Sequence, residues 1–291
     1  MGELTTILGQ SQPSISRHLK LLCDAKLLER HQEGTSAFFH IPSQGEISTT
    51  ARFIIGSIDT KDPHALRDRR QLDAVKAERA ERADTYFREN AEAWDQIRTL
   101  HIDEKVVETA ILSMISDNQS GNLLDVGTGT GRMLQLLGHQ FDEAVGIDKS
   151  RDMLSVARNN LSPGKHPNCS VRQGDMYQLP FPDRSFTAVV LHMVLHFSDE
   201  PIQALAEASR VLQPSGNLYI IDFLPHSMEK FREQHAHRRL GFPDKEIIDW
   251  CNGAGLNIVD NRVLKGNPLT VSIWKMERPN EGENVNSWKQ L

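Results

Sequence analysis

From Asn122 to Met276, short apolar runs recur with helical stretches between most of them. The runs are NLLDVG, EAVGID, CSVRQGD, FTAVVLH, NLYIIDF, LNIVDNRVL and LTVSIWKM. Each has the length of a strand, and the intervening segments place apolar residues three or four apart. That alternation predicts an α/β layer built on a mostly parallel, seven-stranded sheet of Rossmann-like type. The last two runs have no helix between them and are joined through Gly266-Asn267-Pro268. They are expected to form a hairpin, with the last strand antiparallel. Upstream, the pattern changes. The first sixty or so residues carry short helical patterns and one hairpin signal. Residues 61–110 then hold ten Lys/Arg and twelve Asp/Glu. Within that stretch RDRRQLDAVKAERAERADTYF, from Arg67, has neither Gly nor Pro and is rich in good helix formers. Leu72, Val75, Ala80 and Ala83 give it only a thin apolar stripe, so it reads as an exposed connecting helix rather than a coiled-coil seam. The expected organisation is a small N-terminal domain over 1–60, a charged helical linker over 61–90, an α/β domain over 91–278 and a frayed polar tail over 279–291.

Composition narrows the function classes. The chain has 291 residues, 38% hydrophobic and 25% charged, an ordinary globular balance. Lys plus Arg is 33 against 39 Asp plus Glu, a formal charge of −6, so nucleic-acid binding would require a local basic face. No apolar run approaches the ~18 residues that span a bilayer, and the N-terminus has no signal-peptide pattern. Cys23, Cys169 and Cys251 are few and far apart, which argues against a disulfide framework or a thiolate metal site. The expectation is a cytoplasmic protein without a metal.

The segment LLDVGTGTG, Leu123 to Gly131, carries the most chemistry. An apolar strand runs into Gly127, Gly129 and Gly131, residues that permit positive φ and close ligand approach just before a helix. A dinucleotide site would show GxGxxG; here the spacing is GxGxG. Asp125, just before the loop, would repel a pyrophosphate but suits a cationic ligand. Asp148 ends the next strand, 17 residues after Gly131, where an acid can accept both hydroxyls of a ribose. Asp175, with Met176 beside it, ends the strand after that. Three acids at the carboxyl ends of three strands surround the crevice where open α/β sheets bind ligands.

LLDVGTGTG, VGIDKSRDML, QGDMYQLPFPDRSF and RVLQPSGNLYIIDF resemble the successive motifs of class I S-adenosylmethionine (SAM) dependent methyltransferases, over about residues 85–275. The resemblance implies that Asp125 and the glycine loop hold the methionine moiety, Asp148 the ribose, and Asp175 with Met176 the adenine. The full cofactor set it implies is Asp125, Gly127, Thr128, Gly129, Gly131, Asp148, Lys149, Asp175, Met176 and His192, with SAM or S-adenosylhomocysteine (SAH) as ligand. Thr187 stands where the family often has Asp, and Ser215 where it has Gly. The segment YFRENAEAWDQIRTLH, with Tyr86, Asn90, Trp94 and Ile97 at helical spacing, corresponds to one that in related enzymes folds over the cofactor mouth; plain core packing explains the spacing equally. His192, His196 and His235 are the candidate bases, each equally readable as a structural histidine. The chain has no cysteine cluster of the arsenic-methylating kind and no Asn-Pro-Pro-Tyr-like signature of base methylation, and the methyl acceptor stays unnamed.

In the N-terminal segment, Ile15, Leu19 and Leu22 fall at helical spacing as an expected buried stripe, while Pro13, Arg17 and Lys20 occupy the opposite face. SQPSISRHLKLL resembles the recognition helix of an ArsR-type winged helix-turn-helix. LLERHQ and TSAFFHI flank Glu33-Gly34 as an expected hairpin whose tip carries Arg30 and His31. The resemblance implies double-stranded DNA as partner through Gln12, Ser14, Ser16, Arg17, His18, Lys20 and Arg30. It also implies a homodimer through the apolar stretch Phe53, Ile54, Ile55 and Ile58. The match begins late in that fold, so an incomplete copy is expected, and the helix GELTTILG lacks the Cys-x-Cys of metal sensors. Two readings follow: a transcriptional regulator whose methyltransferase domain couples SAM or SAH to DNA binding, or a working methyltransferase of an unidentified small molecule with a DNA-binding appendage.

Overall fold

A computed structural model describes residues 2–42, 46–98, 103–115, 120–162 and 164–280. The expected tail therefore lies almost wholly outside the described residues. The chain divides into two compact units. One comprises Met1–Tyr86 with Ser227–Ala236, the other Phe87–His226 with His237–Leu291. The division falls at Tyr86/Phe87, inside the long charged helix, and not at the ends of the linker drawn from the charge pattern.

The first unit contains helices α1 (Gly2–Leu8) and α2 (Gln12–Asp24), strands β1 (Glu29–Glu33) and β2 (Ser36–His40), helix α3 (Glu46–Gly56) and most of helix α4 (Pro63–Asn90). Pro13 sits in the first turn of α2, where its missing N–H costs nothing. The stripe expected on α2 is only partly buried: Ile15 is covered, but Leu22 is 39% exposed. Ile15 and Ala51 are the buried apolar side chains described in residues 2–86, so little apolar surface is available to cover the end of α2. Helix α4 buries no residue, as its thin stripe implied. Strands β1 and β2 pair antiparallel around a two-residue turn with Gly34 at φ +53°, flanked by the pair Glu33–Ser36. Arg30 and His31 are consequently not at the tip. They pair with Phe39 and Phe38 within the strands, because the turn forms around the glycine.

The second unit is a seven-stranded sheet. Its strands are β3 (Asn122–Val126), β4 (Glu143–Asp148), β5 (Cys169–Gln173), β6 (Phe186–His192), β7 (Leu212–Phe223), β8 (Asn257–Lys265) and β9 (Thr270–Glu277), in the order β5-β4-β3-β6-β7-β9-β8. Strands β5, β4, β3, β6 and β7 pair in parallel; β9 inserts antiparallel between β7 and β8. This is the mostly parallel sheet with an antiparallel last strand that the pattern predicts. The helices preceding and joining the strands are α5 (Trp94–Arg98), α6 (Glu104–Met114), α7 (Arg132–Leu137), α8 (Arg151–Asn160), α9 (Pro201–Val211) and α11 (Asp244–Gly253), while α10 (Lys230–Gln234) belongs to the first unit. The strand order reverses between β3 and β6. Right-handed crossovers therefore send their connections to opposite faces, and a crevice opens at the carboxyl ends of these two strands. Beneath it, Leu124, Val126, Val189, Leu191, Leu205, Leu218, Ile220 and Trp274 form one apolar core. Ser215, at the position where related sequences carry Gly, adopts the left-handed conformation a Gly would favour, φ +59°. Cys23, Cys169 and Cys251 are all free. Among the described residues no helix is long and apolar enough to cross a membrane, and no three His, Cys, Asp or Glu are grouped to hold a metal.

The segment Ser227–Ala236 joins the first unit through charge. Arg232 Nη2 donates to Glu33 Oε2 at 2.7 Å, with side chains only 15% and 2% exposed. Glu229 accepts from the Thr35 backbone N–H at 2.6 Å, and the Arg232 guanidinium lies 5.5 Å from the Phe38 ring centre. Removing the cation takes its guanidinium partner from the buried Glu33 carboxylate, a loss of about 3 kcal/mol. In full-length Arg232→Ala, amide exchange protection of β1 and β2 is expected to fall roughly a hundredfold. Restored protection in Glu33→Gln/Arg232→Met checks the cause, and unchanged protection in the single variant contradicts it.

Candidate active site

Strand β3 leads directly into the glycine loop. Gly127, Gly129 and Gly131 all take positive φ, +71°, +54° and +84°. A Cβ on Gly127 would lie 2.3 Å from Val194 Cγ2, so the residue is required for space as well as conformation. The loop is pinned from below. Thr128 donates its hydroxyl to Asp125 Oδ2 at 2.6 Å and its backbone N–H to the Ile147 carbonyl at 2.8 Å. Gly146 makes room, since a Cβ there would meet Thr128 Oγ1 at 2.6 Å. Asp148 then accepts from the Gly129 N–H at 2.9 Å through Oδ2 and from the Ser150 N–H at 2.8 Å through Oδ1. One carboxylate thus joins the glycine loop to the first turn of α8. A carboxylate offers about four acceptor positions, so a residue of this type at this place suits ribose hydroxyls as well as backbone N–H groups.

The acids of the site differ in exposure. Asp125 is 1% exposed and braces Thr128; Asp148 is half-buried. Asp175 is exposed two residues past β5 and accepts from the Tyr177 N–H at 2.9 Å. Met176, partly buried, packs on the core. Lys149 is exposed beside Asp148. Tyr177, which no motif singled out, ties the segment after β5 to the turn after β6. Its hydroxyl lies 2.9 Å from Ser198 Oγ and accepts from the Asp199 N–H at 2.9 Å.

A half-buried aromatic group borders the loop. Trp94 Nε1 stands 3.6 Å from the position a Gly129 Cβ would take, and Asp95 accepts from the Thr130 hydroxyl at 2.8 Å. Phe87 packs edge-on against Trp94 and Phe197, with ring centres 5.4 and 4.9 Å apart. Of the segment 86–101, Trp94 and Asp95 therefore stand at the loop. Tyr86 belongs to the first unit, and the end of the segment, 99–101, lies outside the described residues.

The three candidate histidines are in different settings. His192 ends β6, half-buried, one residue before Met193 at φ +52°. His196 is 2% exposed in the short turn Leu195–Phe197, with Nδ1 2.8 Å from Asp222 Oδ1. His235 lies in the first unit, where its Nδ1 is 2.8 Å from the Tyr86 hydroxyl. Burial, followed by the charge of Lys230, lowers the His235 pKa, and burial pushes Tyr86 up to about 12. Both shifts favour Tyr86–OH as donor to a neutral imidazole. The structure thus keeps His192 and His196 with the glycine loop in the second unit and assigns His235 to the other.

The arrangement suits a ligand with a positive centre and a nucleoside: a backbone loop open to close approach, rimmed by carboxylates. Residues 124–220 match a family model described as a methyltransferase domain. Over this stretch, about a third of the chain, the sequence is similar to that family. Two relatives are an uncharacterized methyltransferase of Schizosaccharomyces pombe, 29% identical over 58% of this chain and 60% of its own length, and the phosphatidylethanolamine N-methyltransferase of Cereibacter sphaeroides, 35% identical over 36% and 51%. The malonyl-[acyl-carrier protein] O-methyltransferase of a Marinomonas strain is 26% identical over 74% of this chain and 75% of its own. The chain spans about half to three-fifths of the length of the first two. Among solved structures, the YcgJ protein of Bacillus subtilis superposes with a TM-score of 0.53 at 15% identity, covering 60% of this chain and 98% of that one. An S-adenosylmethionine-dependent methyltransferase of Mesorhizobium loti gives 0.52 at 13%, covering 58% and 96%. These two share the fold of the second unit.

Gly127→Ala combines a left-handed backbone with a steric clash, and about 2 kcal/mol of destabilisation is expected. Urea unfolding followed by tryptophan fluorescence measures it. Gly164→Ala, where a Cβ meets nothing within 4 Å, is the control and should unfold like the wild type. Equal midpoints for the two variants contradict the steric account.

Proposed function

We propose that the chain is a SAM-dependent methyltransferase acting on a small-molecule acceptor. The observation that carries this reading is the glycine loop pinned to Asp148, with three left-handed glycines and a carboxylate where a pyrophosphate site would need donors. The matched methyltransferase domain supports it. Bound SAM supplies an activated methyl group on a sulfonium. The protein contributes the rest: Gly127 to Gly131 admit the amino-acid end, Asp148 accepts from the ribose, and Asp175 with Met176 border the adenine. The chain must also align an acceptor on the methyl carbon and exclude water. The relatives methylate nitrogen and oxygen in different molecules, so the acceptor follows from none of them.

Isothermal calorimetry on the full chain tests the reading. SAM and SAH should bind and NAD should not. Asp148→Ala should weaken SAH by about 2–4 kcal/mol, since it removes hydrogen bonds to a charged acceptor. NAD binding by the wild type, or unchanged SAH affinity in the variant, defeats it.

A second reading concerns the first unit. Helix α2 exposes Gln12, Ser16, Arg17, His18 and Lys20, with Ser14 half-buried among them, and Arg30 is exposed on β1. The family match at 124–220 does not include this region, and the comparisons favour the enzymatic reading over the regulatory one. We propose that the cationic, hydroxyl-bearing face of α2 contacts double-stranded DNA. A homodimer would form through α3 and its continuation, where Phe53 is 76%, Ile55 52% and Ile58 53% exposed. Coupling of nucleoside occupancy to DNA binding is the finer part of this proposal. Gel-shift titration should show affinity falling steeply with salt and further in Arg17→Ala/Lys20→Ala. Saturating SAH should shift the curve. Overlaid curves for wild type and variant exclude DNA binding through α2.

A further inference from the structure

Resting on the methyltransferase reading, we propose that His196 is the base that takes a proton from the acceptor, that Asp222 positions it, and that the acceptor is a planar aromatic hydroxyl compound. The argument begins at the carboxyl end of β7. Asp222 is 0% exposed there, and both its oxygens engage His196, with Oδ1 also accepting the Phe223 backbone N–H at 2.7 Å. Oδ1 lies 2.8 Å from His196 Nδ1, and Oδ2 accepts the His196 backbone N–H at 3.1 Å. Two-point anchoring fixes where the ring stands and which way it faces. The backbone of His196 is held from its other side too, since its carbonyl accepts from the Arg238 and Arg239 N–H groups at 2.8 and 3.1 Å. His237 stacks on the ring, with centres 4.0 Å apart and planes at 26°.

A carboxylate on Nδ1 selects the tautomer with the proton there, which leaves the lone pair on Nε2. Nε2 makes no hydrogen bond to any described residue, and it is not one of the side-chain atoms sealed from solvent. It is therefore the reactive end of an oriented imidazole. The buried Asp222 carboxylate also balances the charge that appears when Nε2 gains a proton.

The acceptor class follows from what lies between this ring and the glycine loop. Phe197 stands 4.2 Å from His196 between ring centres and packs on Phe87, which packs on Trp94 beside Gly129. Phe87, Trp94 and Phe197 are all half-buried. They form a partly open aromatic surface running from the loop to the base. A planar ring lying on it gains offset or edge-on contacts, and a hydroxyl on that ring can sit between the methyl carbon and Nε2.

The reaction balances without further reagents. The hydroxyl proton passes to His196 Nε2 while the oxygen's electron pair forms the new bond to the methyl carbon. The carbon–sulfur bond breaks with its pair remaining on sulfur, giving a neutral thioether. The imidazolium, held by Asp222, later releases the proton to solvent.

Two measurements on the full chain, saturated with SAH or supplied with SAM, test this. In a two-bond proton–nitrogen spectrum of 15N-histidine protein at pH 8, His196 should carry its proton on Nδ1. Asp222→Asn should move that proton to Nε2, because an amide can donate to Nδ1. A wild-type Nε2 proton, or an unchanged spectrum in the variant, overturns the positioning role. Tritium transfer from methyl-labelled SAM at pH 7 is then compared for 4-methoxyphenol, which keeps its proton, and pentafluorophenol, which is largely ionised. His196→Gln should lower transfer to the first about a hundredfold or more and leave the second nearly unchanged. Equal losses on both phenols reduce His196 to a structural role and overturn the proposal. If His196→Gln no longer binds SAH, Asp222→Asn carries the same comparison. A wild type that binds SAH but methylates neither phenol overturns the acceptor class alone. One that binds no SAH brings down the methyltransferase reading first and this proposal with it.

Discussion

The hydrogen bonds from the Gly129 and Ser150 N–H groups to the Asp148 carboxylate are the constraint on which the site depends. A loop with glycines at alternate positions loses more conformational entropy on ordering than any other sequence would, by roughly 0.5–1 kcal/mol per glycine relative to alanine. Charge-assisted bonds to a carboxylate, each worth about 1.5–3 kcal/mol, are strong enough to offset that cost. Asp125 does the same work from the other side through the Thr128 hydroxyl. Both acids therefore hold the loop in shape before any ligand arrives. Pre-organisation of this kind raises affinity by moving the ordering cost into folding.

The parts legible in the sequence were those with local signatures. Strand runs of four to eight apolar residues, a glycine loop between a strand and a helix, and acids at strand ends are all written in consecutive residues. They gave the seven strands, the antiparallel last strand and the placement of Asp125 and Asp148, while Asp175, expected at the end of its strand, stands two residues beyond β5. Contacts between distant residues have no such signature. Tyr177 reaches Ser198, His196 reaches Asp222, and Arg232 reaches Glu33 across 199 positions. None is periodic, and each depends on the sheet order that brings its elements together. Asp222 shows the difficulty best, because in NLYIIDF it reads as the polar end of a strand, yet it is fully buried beneath a histidine 26 residues away.

The first unit was read less well, for a related reason. The hairpin turn expected at Glu33-Gly34 forms at Gly34-Thr35, and pairing right up to Glu33–Ser36 keeps Arg30 and His31 inside β1 instead of at the tip. Helical spacing marked Leu22 as buried, but spacing states which residues share a face and not whether anything covers it. The membership of Ser227–Ala236 had no local sign at all. Its Glu229 and Arg232 look like an ordinary helical pair, and the partners that fix the segment, Thr35 and Glu33, lie in the hairpin.

The proposed preference of this loop for a sulfonium nucleoside over a dinucleotide rests on comparing two fields. A helix N-terminus attracts anions, and α7 begins at Arg132 directly after Gly131. Helix α7 is only 6 residues long, and a terminal dipole is worth about 0.3–1 kcal/mol to an anion at an accessible surface. Arg132 adds little to that, because its guanidinium is engaged by both carboxylate oxygens of Glu108 at 2.6 and 2.8 Å. Against this stand Asp148 and Asp125 at the loop, with Asp95 on the Thr130 hydroxyl. A unit negative charge placed about 5 Å from one carboxylate is opposed by roughly 3 kcal/mol at an effective dielectric near 20, and a positive charge gains the same amount. A single acid therefore outweighs the helix terminus, and Asp125 at the loop is the one that separates the two ligands, since a ribose acid such as Asp148 serves both. The same residues that give the loop its shape set the sign of what can occupy it.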